Sequence, residues 1–403
     1  MKVCMLAYSF YDADNRVRRY AEALARRGDE VDAIAVGHAG QPAVETINGV
    51  RVFRVQSRVR DERGPLSYLL KILLFFIRSM WFLTKGAFSE PYDLIHVHNL
   101  PDFEVFATVF QRMRGARVIH DMHEVVPEFY ASKFKIGERS MIFRLLALVE
   151  KLSIAFADHV IVVNHLVEET VLNRGSVRPE KCSVILNYPD PRIFWRSARK
   201  RMSTGRDGEF VICYPGTLSR HQGVDLAVEA VGLLRERAPG LKFLIIGDGP
   251  ERENLKKLIR ERGLEDRVSL TGLVPLEEVA EVMATIDLGV VPKRKEGFGD
   301  IAFSTKTMEF MAMGVPVLAS RTRIDEFYFG GGKVEFFESG NASDLAEKIL
   351  ALMDEPERMT ELRRNCAGFI AKNNWTAKEE EYFALVDGIT RKARPMECAA
   401  LSM

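Results

Sequence analysis

Ser304, Thr305, Lys306 and Glu309 are the residues of this chain whose types and spacing best fit a chemical task. They lie inside Glu296–Ser320, which reads as a glycine-bearing loop, a short helix opening near Ser304, a stop at Gly314 and a buried strand around Pro316–Ala319. Ser304 or Thr305 at the capping position leaves the first helical amides pointing outward with partial positive charge. Such an end is a ready anion site. Lys306 adds a full charge in the first turn, and Glu309 follows three residues later on the same face. A diphosphate at the helix end and a hydroxylated sugar or ribose beside Glu309 would satisfy both groups. The simplest ligand carrying both features is a nucleotide-sugar. The ordinary alternative is a solvated Lys–Glu pair, worth only about 0.2–0.5 kcal/mol. Against it, Met308, Phe310, Met311, Ala312 and Met313 make the helix apolar, so a carboxylate there is out of place unless it lines a crevice.

Further residues fall at loops that leave apolar runs. In Tyr214-Pro-Gly-Thr-Leu-Ser-Arg-His-Gln-Gly223, Gly216 permits close backbone approach, and Arg220 can offer a bidentate fork to phosphate oxygens. The alternative there is a plain strand-to-helix turn with a surface arginine. Gly247-Asp-Gly249 suggests a dinucleotide fingerprint, but Arg252 stands where the third glycine belongs, so only a tight turn near a base is expected. Gly272 and Val274 can border the same base through backbone groups. Earlier in the chain, Val118-Ile-His-Asp-Met-His-Glu124 places His123 at the end of a run, where an imidazole can bond a sugar hydroxyl. A structural histidine held by Glu124 is the plainer reading. His96, His98 and His120 are its candidate neighbours. No two-plus-two ligand spacing appears, so no metal site is expected.

The elements that must carry these residues follow from alternating apolar runs and amphipathic stretches, the pattern of parallel doubly wound sheets. The fold class expected is α/β, with two Rossmann-like domains facing each other across a cleft. First-half strands are expected at Val3–Ala7, Val31–Val36, Val52–Val55, Leu94–Val97, Arg117–Ile119, Val160–Val163 and Ser183–Leu186. Helices are expected at Arg16–Arg27, Leu66–Lys85, Glu104–Arg114, Arg139–Ala157 and Leu166–Asn173. The second series has strands Phe210–Tyr214, Phe243–Ile246, Val268–Leu270 and Leu288–Val291, with helices Val224–Arg237, Glu251–Arg262 and Leu276–Ala284. The boundaries read as a first domain over 1–190, a basic linker over 191–208 containing Arg196-Ser-Ala-Arg-Lys-Arg201, a nucleotide-sugar domain over 209–372 and a final helix over 373–392. Ligands in such sheets bind beyond the carboxyl ends of the strands, which is where these residues fall.

Bulk properties narrow the function. The 403 residues are 47% hydrophobic and 28% charged, ordinary globular values with room for two or three domains. A formal net charge of +1 argues against a nucleic-acid partner. Cys4, Cys182, Cys213, Cys366 and Cys398 are scattered and suit a reducing cytosol. The first residues run straight into a strand, so no export leader is expected.

Taken in order and spacing, Asp121–Glu124, Tyr214–Gly223, Ile245–Pro250 and Glu296–Ser320 resemble the retaining, two-Rossmann (type B) glycosyltransferases, in particular glycosyltransferase family four. The similarity covers nearly the whole chain. It implies a hexosyltransferase-type enzyme that needs no metal or other cofactor. It also implies retention without an enzyme nucleophile, the leaving diphosphate deprotonating the acceptor. His123 and Glu309 become the catalytic candidates. Gly216, Thr217, Arg220, Gly247, Val274, Thr305, Lys306 and Glu309 become the donor-binding set, and Asn15 and Arg16 the acceptor side. The final helix is expected to cross back onto the first domain. Two departures from the family pattern stand out. The arginine and lysine that usually hold the diphosphate are Thr217 and Gln222 here, leaving Arg220, Lys306 and the helix dipole to do so, with His221 assisting. The first of the usual paired glutamates is replaced by Ile301, with Asp300 and Glu296 nearby as candidate substitutes.

Asp12-Ala-Asp14 reads as a helix cap and acceptor-side loop. Leu66–Lys85 points to the acceptor: it is apolar and carries Trp81, yet Lys71, Arg78 and Lys85 recur every seven residues and are expected to interrupt any spanning segment. Such a stretch suits the surface of an anionic membrane, or else a helix buried on the sheet with snorkelling ends. The function expected is transfer from a nucleotide-diphosphate sugar to a lipid-linked glycan or polysaccharide, in cell-surface polysaccharide or glycolipid assembly. That work would place the protein in the cytoplasm, on the inner face of the membrane. The alternatives are a nucleotide-sugar epimerase of the same shape and a non-catalytic nucleotide-sugar-binding subunit.

Overall fold

A computed structural model describes residues 1–58, 65–134, 137, 139–195 and 208–391. Residues 196–207, which hold most of the basic stretch expected as a linker, lie outside them. The chain forms two compact units, one of residues 1–187 with 379–403 and one of residues 188–378.

The first unit contains an eight-stranded sheet. Its strands are β1 (Lys2–Phe10), β2 (Glu30–Gly37), β3 (Val44–Ile47), β4 (Val50–Ser57), β5 (Leu94–His98), β6 (Arg117–Met122), β7 (His159–Val162) and β8 (Cys182–Val184). They lie in the order β3-β4-β2-β1-β5-β6-β7-β8, and only β3 runs antiparallel to its neighbour. Strands such as Val3-Cys-Met-Leu-Ala7 are buried throughout, as a sheet covered on both faces requires. β3 escapes the apolar pattern because it is an edge hairpin strand with Val44, Glu45 and Thr46 exposed.

After β4 the chain crosses past β2 and β1 to reach β5. Right-handed crossovers then put the connecting helix Pro65–Ser89 on the sheet face opposite Asn15–Arg27. That helix sends Ile72, Phe75 and Leu83 into the core and turns Leu70, Ile77 and Trp81 outward. The basic residues expected to interrupt a spanning segment do not: Ser67–Ser89 is long and apolar enough to cross a bilayer, with a mean hydropathy of 1.4. Its inner face is nevertheless committed to the sheet. Asp102–Thr108 forms a 3-10 turn ahead of a short helix, Val109–Met113, and these share the layer with Met141–Phe156.

The second unit is a six-stranded parallel sheet. It contains β9 (Phe210–Pro215), β10 (Leu241–Ile246), β11 (Val268–Gly272), β12 (Leu288–Val291), β13 (Val317–Ser320) and β14 (Glu335–Phe337). Its order, β11-β10-β9-β12-β13-β14, is that of a Rossmann sheet, with the reversal between β9 and β12. Helices Arg323–Phe329, Ala342–Asp354 and Pro356–Ile370 complete this unit and were not expected. Val126–Phe134 is a further unexpected helix, in the first unit. The final helix, Trp375–Arg391, has its first turn in the second unit and the remainder in the first. Cys4, Cys182, Cys213 and Cys366 are buried free thiols.

Glu104 is fully buried, and among the described residues neither carboxylate oxygen has a hydrogen-bond partner. Burial pushes its pKa well above the usual carboxylate range. A group raised on folding stabilises fully below its unfolded pKa, and that contribution is lost as pH climbs toward the folded value. Glu104→Gln should therefore raise stability at neutral pH by about 1 kcal/mol or more and flatten the decline above the acid range, as read from urea melts at several pH values.

Candidate functional site

In the second unit the site grows from the point where β9 and β12 diverge. Backbone hydrogen bonds tie the loops that leave β9, β10 and β11 side by side: Gly216 N donates to Ile246 O at 2.7 Å, Leu218 N to Asp248 O at 2.9 Å and Gly247 N to Gly272 O at 2.8 Å. The packing leaves no room for side chains. A Cβ at Gly247 would sit 1.9 Å from the Gly216 carbonyl oxygen, and one at Gly216 would sit 2.2 Å from Lys306 Cε. Both glycines also have φ of 140° or more, which L side chains rarely adopt. The aliphatic stem of Lys306 thus runs directly over the Gly216 backbone.

Lys306 opens the helix Thr305–Ala312, which Phe310 pins by packing against Gly289 of β12. Its ammonium lies 3.4 Å from Gln222 Oε1 and 5.4 Å from the centre of the Tyr214 ring. Burial, with some help from Lys293, lowers its pKa, while Glu309 pulls the other way. An added anion would relieve that cost. The Tyr214 hydroxyl lies 2.9 Å from Thr217 O and 3.1 Å from Gln222 Oε1, sharing its one hydrogen between them, so the Thr217–Gln222 turn is tied to the strand beneath it. One expectation fails locally. Ser304 occupies the capping position, but its hydroxyl makes no cap bond and is buried without a partner among the described residues. Its φ and ψ of −91° and 103° are those of an ordinary cap, as at Asp14 and Asn341, so the missing bond is a matter of the side chain and not of the backbone. Those amides therefore receive no bond from the serine.

Other members of the donor set are placed as follows. Arg220 and Thr217 are exposed on the loop, and Val274 is half-buried after β11. Thr305 and Glu309 are half-buried. Asp300, a candidate for the missing first glutamate, accepts from the Arg323 amide at 2.9 Å, which commits one oxygen to starting the next helix. Glu296 is exposed. Two basic residues escaped sequence reasoning. Lys293, only 2% exposed, pairs with Asp325 at 2.9 Å and donates to Ala302 O at 2.6 Å, anchoring the loop that leads to Ser304. Arg294 forks onto Asp225 at 2.8 and 2.7 Å and reaches Arg220 O at 2.8 Å, holding the turn that presents Arg220. Desolvation and the charges of Lys306 and Lys293 all lower His221, so this loop end is a focus of positive potential. The position of Lys293 two residues past a buried strand was the available signal.

In the first unit, β5 and β6 bring His96, His98, Asp121 and His123 together. His96 and His98 alternate onto one face with stacked rings 4.3 Å apart. His123 Nε2 lies 3.1 Å from His98 Nδ1, and the His123 amide donates to Asn99 Oδ1 at 2.7 Å. Period-two alternation sends His120 to the opposite face, 3.4 Å from Asp102, so it is not a neighbour of His123. Arg16 also departs from expectation. It is buried and forks onto Asp121 at 2.8 and 2.7 Å, with Ile185 O at 2.9 Å and Asn187 Oδ1 at 3.0 Å as further acceptors. An arginine with those bonds made is an internal tie and not an open acceptor-side group. Asn15 is exposed beside it, and Asp14 caps the helix by accepting from the Arg16 and Val17 amides.

Burial alone would raise Asp121, but the Arg16 guanidinium and the histidine hydrogen bonds outweigh it and hold the carboxyl well below its usual range. Burial and then His96 push His98 down to about 3, so it is neutral at physiological pH. His96, His98 and Asp121 offer ligand atoms within 4.8 Å of one another. The Arg16 fork already engages both carboxylate oxygens, and we put no ion there. Tyr382 of the final helix is fully buried, bonds His96 Nδ1 at 2.9 Å and packs 4.4 Å from the Tyr20 ring.

A Rossmann-ordered sheet with a lysine-bearing helix start at its switch point belongs to the class of nucleotide-binding transfer domains. The sequence matches "Glycosyl transferases group 1" over residues 197–368 and "Glycosyl transferase 4-like domain" over residues 13–187. D-inositol 3-phosphate glycosyltransferase of Pseudarthrobacter chlorophenolicus is 26% identical, over 92% of this chain and 90% of that protein. Sucrose-phosphate synthase from Thermosynechococcus elongatus superposes with a TM-score of 0.79 at 22% identity, over 97% of this chain and 100% of the other. Anabaena HepE in complex with UDP and glucose superposes at 0.71 with 18% identity, over 96% and 100%. The chain belongs to the type-B glycosyltransferases of the family-four kind, and it is an enzyme of that class.

Two outcomes test these halves separately. Asp121→Asn, which strands Arg16 in the interior, should cost about 3–5 kcal/mol of unfolding free energy in urea, and a paired Arg16→Met/Asp121→Leu change should recover much of it. Gly216→Ala should weaken nucleoside-diphosphate binding by roughly tenfold or more by calorimetry, because the new methyl evicts Lys306.

Proposed function

We propose that the protein transfers a sugar from a nucleotide-diphosphate donor to a lipid-linked glycan or polysaccharide acceptor, with retention of anomeric configuration, in cell-surface polysaccharide or glycolipid assembly. The observation that carries the donor half is the Lys306 ammonium held over a side-chain-free Gly216 at the sheet's switch point. The UDP and glucose named with Anabaena HepE support a nucleotide-sugar donor here as well. Lys306, the amides at the start of its helix and the Arg220 fork stabilise the negative charge that collects on the leaving diphosphate. Glu309 accepts hydrogen bonds from donor hydroxyls. His123, steadied by His98, is assigned the hydrogen bond to the transferred sugar.

In the transfer step the bond from the anomeric carbon to the diphosphate oxygen breaks, and a bond to the acceptor hydroxyl oxygen forms on the same face. The acceptor proton passes to a phosphate oxygen of the leaving group, so no side chain needs to serve as nucleophile or base. No metal is assigned a part, because lysine, arginine and amide groups supply the counter-charge. The proposed site of action is the cytoplasmic face of a membrane.

Lys306→Ala and Glu309→Ala should each lower transfer by about 10²–10³-fold with the circular dichroism spectrum unchanged, and chelators should leave the wild-type rate intact. Near-normal rates in both variants would reject the assignment. Melting curves with UDP, GDP and their sugar conjugates give a second check, since a matched donor at free concentration L stabilises the fold by RT ln(1 + L/Kd). Interconversion of the donor sugar without any acceptor would instead indicate an epimerase.

A further inference from the structure

The outer surface of the first unit's helical layer is strongly apolar. On Pro65–Ser89 the exposed side chains include Leu70 (58%), Ile77 (58%), Trp81 (66%) and Phe88 (77%), although the opposite face of the same helix is in the core. The helix Met141–Phe156 repeats the pattern, exposing Met141, Leu145, Leu148 and Leu152 at intervals of three and four residues. Between them Val109–Met113 exposes Phe110 and Met113. Segment Asp102–Thr108 joins the three into one layer, with Phe103 packed on Phe76 at 5.6 Å and Phe106 on Phe156 at 5.2 Å. A patch of this extent is far beyond the scattered apolar residues of an ordinary surface.

The charges on these helices are one-sided. Lys71, Arg78, Lys85, Arg144 and Lys151 are distributed along them, while Arg112 is matched by Asp158 at 3.7 Å. Glu150 is their only carboxylate, and it is buried against Arg174 at 2.7 Å. Trp81 lies under the Lys85 ammonium at 5.6 Å, an amphipathic pair suited to a headgroup boundary. A second copy of the chain would bring the same basic charges against these, so a self-association face is disfavoured, whereas an anionic bilayer complements both the charge and the apolar ridge. Spanning is disfavoured too, because Phe75 and Leu83 would have to leave the core.

We propose that the outer face of Pro65–Ser89, Val109–Met113 and Met141–Phe156 is a single docking surface for anionic lipid, with Leu145, Leu148 and Leu152 entering the bilayer beside Trp81. The inference draws its purpose from the lipid-linked acceptor reading and goes beyond it in naming a second helix as an equal contributor. The test uses the full chain and sedimentation with vesicles of phosphatidylcholine alone or mixed equally with phosphatidylglycerol. Wild-type protein should pellet with the mixed vesicles and be released by salt. Leu145→Ser/Leu148→Ser and Arg144→Glu/Lys151→Glu should each lower partitioning by about tenfold or more. All of these positions are exposed, so melting temperature and nucleotide-diphosphate binding should be unchanged. Wild-type protein that stays in the supernatant, variants that bind equally well, or loss of a dimer in the variants by sedimentation velocity would each overturn the proposal. Donor binding measured on the same samples separates that failure from failure of the transferase reading.

Discussion

A methyl group at position 216 would occupy space already taken by the Lys306 side chain, and this exclusion governs the second unit. The lysine can reach the switch point only because the strand beneath it ends in bare backbone. Bare backbone at Gly247 in turn lets its loop approach the Gly216 carbonyl, and the neighbouring loops lock together through main-chain hydrogen bonds. A half-buried ammonium is unfavourable by itself, so its surroundings are built as acceptors and an aromatic face: Gln222 Oε1, the Tyr214 ring and the charge of Glu309. Lys293 and Arg294 spend their own charges on Asp325 and Asp225, and so act as braces for the loops that carry Arg220 and Lys306.

The first unit reaches stability at its own polar centre by a different arrangement. Asp121 and Arg16 neutralise each other inside the protein, and burial lowers the pKa of His96 and His98 beside them. A neutral, stacked His96–His98 pair beside a permanent carboxylate fixes which ring nitrogen faces which partner. The His123 ring is consequently set by three neighbours, Asn99 through its amide and His98 and Asp121 through its imidazole.

Strands buried on both faces were legible from sequence because each is a short unbroken apolar run, and every such run became a strand. β3 was invisible because an exposed edge strand has no apolar run to betray it. The helices Arg323–Phe329 and Ala342–Asp354 did leave a signal: Thr322 and Asn341 each accept a bond from the amide three residues on. Gly216 and Gly247 could be named beforehand because each falls where a strand gives way to a turn, and Lys306 because it stands in the first turn of a short, otherwise apolar helix. The misplacement of Arg16 shows the limit. Nothing in its local sequence reveals that its partner is Asp121, 105 residues away, and without that partner an arginine at a helix start reads as exposed. The twofold use of Pro65–Ser89, apolar inside and out, likewise emerges only when burial is known.

Tyr382 lies 286 residues downstream of the histidine it bonds. During synthesis, then, the first sheet can assemble while His96 still lacks that partner, and the polar centre is finished only when almost the whole polypeptide has emerged. The last long helix acts as a closing stitch, so that a chain interrupted before it would carry a completed sheet and an incomplete heart.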